Sequence, residues 1–381
     1  MRLQPVFDFL NSISKAGLTF YPCQGLFQAI KSLHLGADEA KLLFYPVSAC
    51  LFLRPSRVLF RRGFGIFWFF EACYIILQED RDMKKDFLSI RDLTREEAHE
   101  LVERAHWMKA EDFRSNLLEG KTVILIFEKA STRTKVSFEV SINHLGGHHV
   151  FMTPAESQLG RSEPLRDTAR VLSRYAQGMV VRTFGQDKLV ELARHGSVPV
   201  INALSDDFHP CQVMSDLLTI FERTPEFEAL NIAWVGDGNN MSHSWINAAV
   251  HFPFRLNIAV PRGFEPRADI LQEAKDLGAN INFTHDPLEA VREAHYINTD
   301  VWASMGQEEE KKSRADAFAG FRVDDRILEA AHPEARVLHC LPAHRGEEIT
   351  DAVMEGERSI VWDQAENRLH MQKAILEWIY G

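Results

Sequence analysis

From Met83 onward the chain repeats one pattern: a short uninterrupted apolar run, a polar turn, then apolar residues at helical spacing. Thr122-Val-Ile-Leu-Ile-Phe127 is the clearest run. Six apolar-rich residues without alternation leave no face for water, so the run belongs in a parallel sheet covered on both sides. It is preceded by residues 95–110, where Ala98, Leu101, Val102 and Ala105 share one helical stripe. Thr94 and Glu97 stand in front of that stripe with capping-box spacing. After the run, Phe138, Ile142 and Leu145 recur at i, i+4 and i+7, and Gly146-Gly147 occupy the place of a helix C-cap. Further strands are predicted at residues 178–181, 198–201, 231–235, 257–260, 296–299, 335–339 and 359–362. Helical patterns intervene, so the fold class is α/β with parallel sheets. The stretch 222–228, with Pro225, reads as the crossing between two halves.

Residues 1–82 follow no such pattern. They hold 15 of the 39 aromatic residues and a charge of +2, leaving −13 of the net −11 on the remainder. Their apolar runs, 42–53 and 63–77, are interrupted by Pro46 and Glu71 and fall short of the ~20 residues that span a bilayer. Seven acidic residues argue against an organelle presequence. The segment is expected to be a mis-set start preceding Met83 or an added leader. At 381 residues the chain has room for two or three domains. Its acidic balance argues against a nucleic-acid partner, and no membrane partner is expected. Five cysteines without a C-x-x-C pair make neither a disulfide framework nor a zinc site, so a reducing, cytoplasmic location is expected.

Ser131-Thr-Arg-Thr134 lies at a strand-to-helix junction. Free N–H groups and the helix dipole favour an anion there, and two further hydroxyls and a guanidinium suit a phosphate. Ser131 as a plain helix cap is the other reading. No Walker A loop is present. Gly236-Asp-Gly-Asn-Asn240 lacks the third glycine of a dinucleotide fingerprint, since position 241 is Met, so no NAD site is expected. His209-Pro-Cys-Gln212, Asp300 and His339-Cys-Leu-Pro342 end strands or open helices. Taken singly, His209 reads more readily as a loop residue than a catalyst, Asp300 as readily as a helix cap as a ligand, and Cys340 more readily as a small buried hydrophobe than a nucleophile. Asp206-Asp207 read as turn residues. His148-His149 have no ligand-spaced partners and read as surface, so no metal is expected.

Together these pieces resemble the aspartate/ornithine carbamoyltransferase family, on its ornithine branch. Five motifs occur in order: Phe127-Glu-Lys-Ala-Ser-Thr-Arg-Thr134, His209-Pro-Cys-Gln212, Gly236-Asp-Gly-Asn-Asn240, Asp300-x-x-x-Ser-Met-Gly306 and His339-Cys-Leu-Pro342. The likeness spans residues 83–381, and it departs at Lys135, where the family usually has Arg. It implies two doubly wound parallel-sheet domains with the site between them. Residues 83–224, completed by 364–381, would bind carbamoyl phosphate, and residues 225–363 would bind ornithine. It further implies transfer of a carbamoyl group to ornithine without a cofactor, in a homotrimer. Ser131, Thr132, Arg133 and Thr134 would cradle the phosphate, with Arg368 closing on it and Gln158 reaching a neighbouring subunit's site. Arg182 and His209 would bond the carbonyl oxygen and Gln212 the carbamoyl nitrogen. Asn240, Asp300, Ser304 and Met305 would hold ornithine, and Cys340 and Leu341 would line the reacting centre.

The chemistry fits those residue types. A dianionic mixed anhydride needs cations for phosphate and donors for the developing oxyanion. Direct attack by the amine needs no covalent enzyme intermediate, so Cys340 is expected not to be a nucleophile. The amine must first lose a proton, at a cost of about 4–5 kcal/mol at pH 7. Other acceptor amines, such as putrescine or an acylated ornithine, and a catalytically silent ligand-binding paralogue are the competing readings. Residues 307–316 read either as a solvated charge run or as a lid.

Overall fold

The computed structural model describes residues 84–153, 163–303 and 311–381. Residues 1–82, and with them the question of a mis-set start or an added leader, lie outside the described residues.

The helix predicted at 95–110 forms as α1 (Arg95–Ala110), with the Thr94 hydroxyl accepting from the Glu97 N–H and the Glu97 carboxylate accepting from the Thr94 N–H. The first sheet is built from β1 (Thr122–Phe127), α2 (Thr132–His144), β2 (His148–Met152), α3 (Leu165–Tyr175), β3 (Gly178–Arg182), α4 (Gln186–His195) and β4 (Val200–Leu204). All its pairings are parallel, in the order β2-β1-β3-β4. Helix α2 ends before Gly146, whose φ of +77° is the left-handed geometry a glycine supplies most cheaply. α5 (Pro210–Phe221) and an irregular stretch through Pro225 lead to the second sheet. That sheet comprises β5 (Asn231–Val235), α6 (Asn240–His251), β6 (Arg255–Ala259), α7 (Ala268–Asp276), β7 (Ile281–Thr284), α8 (Pro287–Val291), β8 (Tyr296–Thr299), α9 (Lys311–Phe318), α10 (Asp325–Ala330) and β9 (Arg336–His339). Its order is β7-β6-β5-β8-β9, again parallel throughout. A short α11 (Asp351–Met354) and the long α12 (Val361–Tyr380) finish the chain.

Alternate residues of each central strand go to opposite cores. In β1, Ile124 and Ile126 pack with α3 and α4, whereas Val123, Leu125 and Phe127 face the core shared by α1, α2, α5 and α12. That larger core continues to Ile232 and Trp234 of β5, and Ala233 and Val235 face a third core with α8, α9 and α10.

One expectation is corrected, and two strands are added that sequence reasoning had not named. Residues 359–362 are no strand: Ser359 makes one isolated bridge to Val337 and the chain enters α12 at Val361. A short apolar run does not distinguish a strand from a buried helix start. Strands β2 and β7 carry no strong apolar run, because both are edge strands that show one side to solvent. His148 and His149 open β2 at the surface, as expected, with His148 exposed, His149 half-buried and His149 Nε2 3.5 Å from Glu139.

Candidate active site

A cavity of about 850 Å³ is lined by residues from both sheets. Its chemistry comes from the carboxyl ends of parallel strands, where backbone and loops are free to face a ligand. Residues 129–134 follow β1, Arg182 ends β3, Asp206 follows β4, Asp237 follows β5, Asp300 follows β8 and Cys340 follows β9.

The turn after β1 enters α2 through Ser131, whose Oγ accepts from the Thr134 N–H at 3.2 Å. Ser131 is therefore a cap, and it lines the cavity as well. Arg133 is half-buried and also lines it. Arg368 arrives from α12 with 3% of its surface exposed and donates to Thr134 Oγ1 at 2.5 Å. Arg182 is 6% exposed. Ion pairs at the wall join Lys129 to Asp206 and Arg314 to Asp237 (2.8 Å). Arg133, Arg182 and Arg368 have no carboxylate partner among the described residues. Burial, followed by the charges of Arg368 and Arg133, pushes Arg182 down to about 10. Burial likewise pushes Arg368 down to about 10, with Arg133 adding repulsion. Both remain cationic at neutral pH, so the wall holds uncompensated positive charge, and an anion relieves it.

His209 stands at the N-cap of α5, buried, with its backbone N–H donated to Ser244 Oγ at 2.8 Å. Burial, then Arg368 and Arg182, holds its ring well below the ordinary histidine range. The neutral imidazole still offers one N–H. Gln212 is buried but does not line the cavity: its Nε2 donates to Asp216 at 2.8 Å and its Oε1 has no partner.

On the second sheet, Asp300 Oδ1 accepts from Cys340 Sγ (2.9 Å) and from the Val301 N–H (2.8 Å), while Oδ2 accepts from Asn239 Nδ2 (3.1 Å). Asn239 caps α6 with its own carbonyl, and Asn240 donates to Ser205 O at 2.6 Å. The glycine of Gly238 serves close packing: a Cβ there would lie 2.3 Å from Pro266 N. Burial and the Asp300 carboxylate push the Cys340 thiol well above its usual value. Asp300, His339 and Cys340 bring metal-ligand atoms within 4.8 Å of one another. Both ring nitrogens of His339 are already engaged, Nδ1 by the Leu341 N–H (2.9 Å) and Nε2 by Glu348 (3.1 Å). Leu341, with φ +58°, lines the cavity beside Cys340.

The structure thus brings together Ser131, Thr132, Arg133, Thr134, Arg182, His209, Asn240, Asp300, Cys340, Leu341 and Arg368. Gln158, Ser304 and Met305 lie outside the described residues. Lys135 is not on the cavity wall: its Nζ sits 3.8 Å from the Phe151 ring centroid and 4.0 Å from Glu139. Sequence reasoning passed over Lys129, Asp237 and Arg314 as wall residues, whereas Asn239, expected with Asn240 to hold a ligand's polar groups, does line the cavity. Asp206, read as a turn residue, occupies a bend and also pairs with Lys129. Of the charge run at 307–316, Arg314 is buried against Asp237 and the Trp302 carbonyl, so that residue is not solvated surface.

Comparisons with known proteins agree with this arrangement. Residues 85–222 match the model of the aspartate/ornithine carbamoyltransferase carbamoyl-P binding domain, and residues 228–379 that of the Asp/Orn binding domain. The chain is 64% identical over 297 residues to ornithine carbamoyltransferase of Oleidesulfovibrio alaskensis, covering 78% of this chain and 99% of that protein. Ornithine carbamoyltransferase from Pyrococcus furiosus superposes with a TM-score of 0.75 at 44% identity, covering 78% of this chain and 97% of that one. Anabolic ornithine carbamoyltransferase from Campylobacter jejuni superposes with a TM-score of 0.74 at 38% identity, covering 77% and 98%.

Proposed function

The chain belongs to the aspartate/ornithine carbamoyltransferase family, and from that premise we propose that it transfers the carbamoyl group of carbamoyl phosphate to the side-chain amine of L-ornithine, giving L-citrulline and phosphate. The observation that carries this reading is the pairing of two walls. One holds three guanidiniums without carboxylate partners among the described residues, and the other holds a carboxylate, Asp300, oriented by Asn239.

In this reading the domain of residues 83–224, with 364–381, binds carbamoyl phosphate, and residues 225–363 bind ornithine. Ser131, Thr132, Arg133, Thr134 and Arg368 hold the phosphate. Arg182 and the neutral His209 donate to the carbonyl oxygen as it gains charge, which is where preorganised donors accelerate most. Asp300 and Asn240 hold ornithine's amino-acid end, together with Ser304 and Met305. Burial of the amine lowers its pKa. The free amine attacks the carbonyl carbon, the C–O bond to phosphate breaks, and phosphate leaves carrying the proton. Cys340 stays a thiol and orients Asp300 by its S–H donation.

The assembly is a homotrimer in which Gln158 completes a neighbour's site. The cytoplasm is its compartment, supported by the free cysteines Cys211 and Cys340. Among the described residues, no helix is long and apolar enough to cross a membrane. The product feeds arginine biosynthesis, a direction supported by the neighbour named anabolic.

The test is citrulline-type product formation by the full chain from carbamoyl phosphate with ornithine, acetylornithine, putrescine and aspartate. Ornithine is expected to exceed the others by at least about 100-fold in kcat/KM, because a site built to bond its polar groups rejects amines lacking them. A preference for another amine would reassign the substrate, and no turnover with any amine would leave a silent binding protein.

A further inference from the structure

Three side-chain amides from three elements converge on one buried carboxylate. Asp216, one turn beyond Gln212 on α5, has no exposed surface. Its Oδ1 accepts from Gln212 Nε2 (2.8 Å) and from Gln364 Nε2 of α12 (2.7 Å), and its Oδ2 accepts from Asn298 Nδ2 of β8 (3.1 Å). Among the described residues it makes no ion pair. A carboxylate that only accepts dictates which end of each amide faces it. Gln212 must therefore turn its NH₂ toward Asp216. That leaves Gln212 Oε1 as a buried acceptor without a partner, three residues on from the cavity-lining His209. Buried acceptors are rarely left unsatisfied, and this one, in the first turn of the helix that cavity-lining His209 opens, is a place for a ligand's N–H. Gln364, turned the same way, spends its Oε1 on the His339 N–H at 2.8 Å, next to Cys340.

We infer that Asp216 is a positioning residue: it fixes the Gln212 amide so that its carbonyl meets the N–H of the carbamoyl group, and through Gln364 it anchors the strand end that carries Cys340. This rests on the carbamoyl-transfer reading. Burial raises Asp216 to about 6, and the hydrogen bonds from Gln212, Gln364 and Asn298 hold it back. At pH 8 it is ionised and accepts only.

Asp216→Ala removes both acceptor oxygens and leaves the Gln212 amide free to turn its NH₂ toward the substrate. In Asp216→Asn the remaining carbonyl still faces Gln212 and Gln364 when the new NH₂ faces Asn298, whose unpartnered Oδ1 can turn to accept it. Kinetics of the full chain at pH 8 test this, with inorganic phosphate as an inhibitor that carries no carbamoyl N–H. In Asp216→Ala the KM for carbamoyl phosphate is expected to rise about tenfold or more, the cost of a lost buried hydrogen bond, while inhibition by phosphate stays within about twofold. In Asp216→Asn the KM is expected to stay within about threefold of wild type.

An unchanged KM in Asp216→Ala overturns the inference. So does a parallel loss of phosphate affinity, the mark of general damage, or a KM in Asp216→Asn raised as far as in Asp216→Ala. If Asp216→Ala does not fold, Asp216→Leu fills the space without an acceptor and decides by the same outcomes: a raised KM with phosphate inhibition kept supports the role, and an unchanged KM refutes it. Wild type is the control, and its failure to turn over would instead overturn the carbamoyl-transfer reading beneath.

Discussion

At Cys340 burial and the adjacent Asp300 carboxylate oppose ionisation, so the sulfur is a hydrogen-bond donor and a poor nucleophile. Cys340→Ser keeps a donor to Asp300, and its kcat is expected to stay within about tenfold of wild type. Iodoacetamide at pH 7.5 is expected to label Cys340 far more slowly than a free thiol. Complete loss of turnover with ornithine still bound would contradict this role. The cavity residues that stand in local motifs, such as Arg133, His209, Asp300 and Cys340, were legible in the sequence. Lys129 and Arg314 were not, because their meaning comes from partners 77 residues away, Asp206 and Asp237. Gln212 was legible as a residue but not as an oriented one, since its orientation depends on Asp216.

Among the elements, α12 does the most connecting for its length. It spans about 30 Å, brings Arg368 to Thr134, and sends Gln364 to Asp216 and the His339 N–H. Asn367 reaches Thr219, and Lys373 donates to the Phe113 carbonyl at 2.9 Å. So many buried polar residues erase the amphipathic stripe, which is why its first turn read as a strand. Burial, then the charges of Lys373 and Lys109, pushes His370 down to about 4. Its unfolded value is near 6.5, so between pH 6.5 and 4 the unfolded chain binds more protons than the folded one. The stability due to the neutral ring is full above pH 6.5 and is lost as pH falls toward 4. His370→Leu is therefore expected to lose melting temperature less steeply than wild type from pH 6.5 to 4.5. Parallel melting curves across that range would show that His370 carries no such linkage.

Across the molecule, two parallel sheets share one apolar core through α1, α5, α6 and α12, and turn the carboxyl ends of their strands to one cavity. Continuous apolar strands made the central strands and the α/β class readable, whereas the edge strands β2 and β7 have too little buried surface to leave the same mark. The shared core and the convergence of both walls are long-range facts that no local pattern contains. In the proposed reaction the turn after β1 grips a doubly charged leaving group with cations that have no carboxylate partner among the described residues. Calorimetric titration of a methylene-phosphonate analogue of carbamoyl phosphate into wild type and Arg133→Met tests it most directly. The affinity is expected to fall by about 10–100-fold in the variant, the loss of a charge-assisted hydrogen bond. Equal affinity in the two proteins would contradict it.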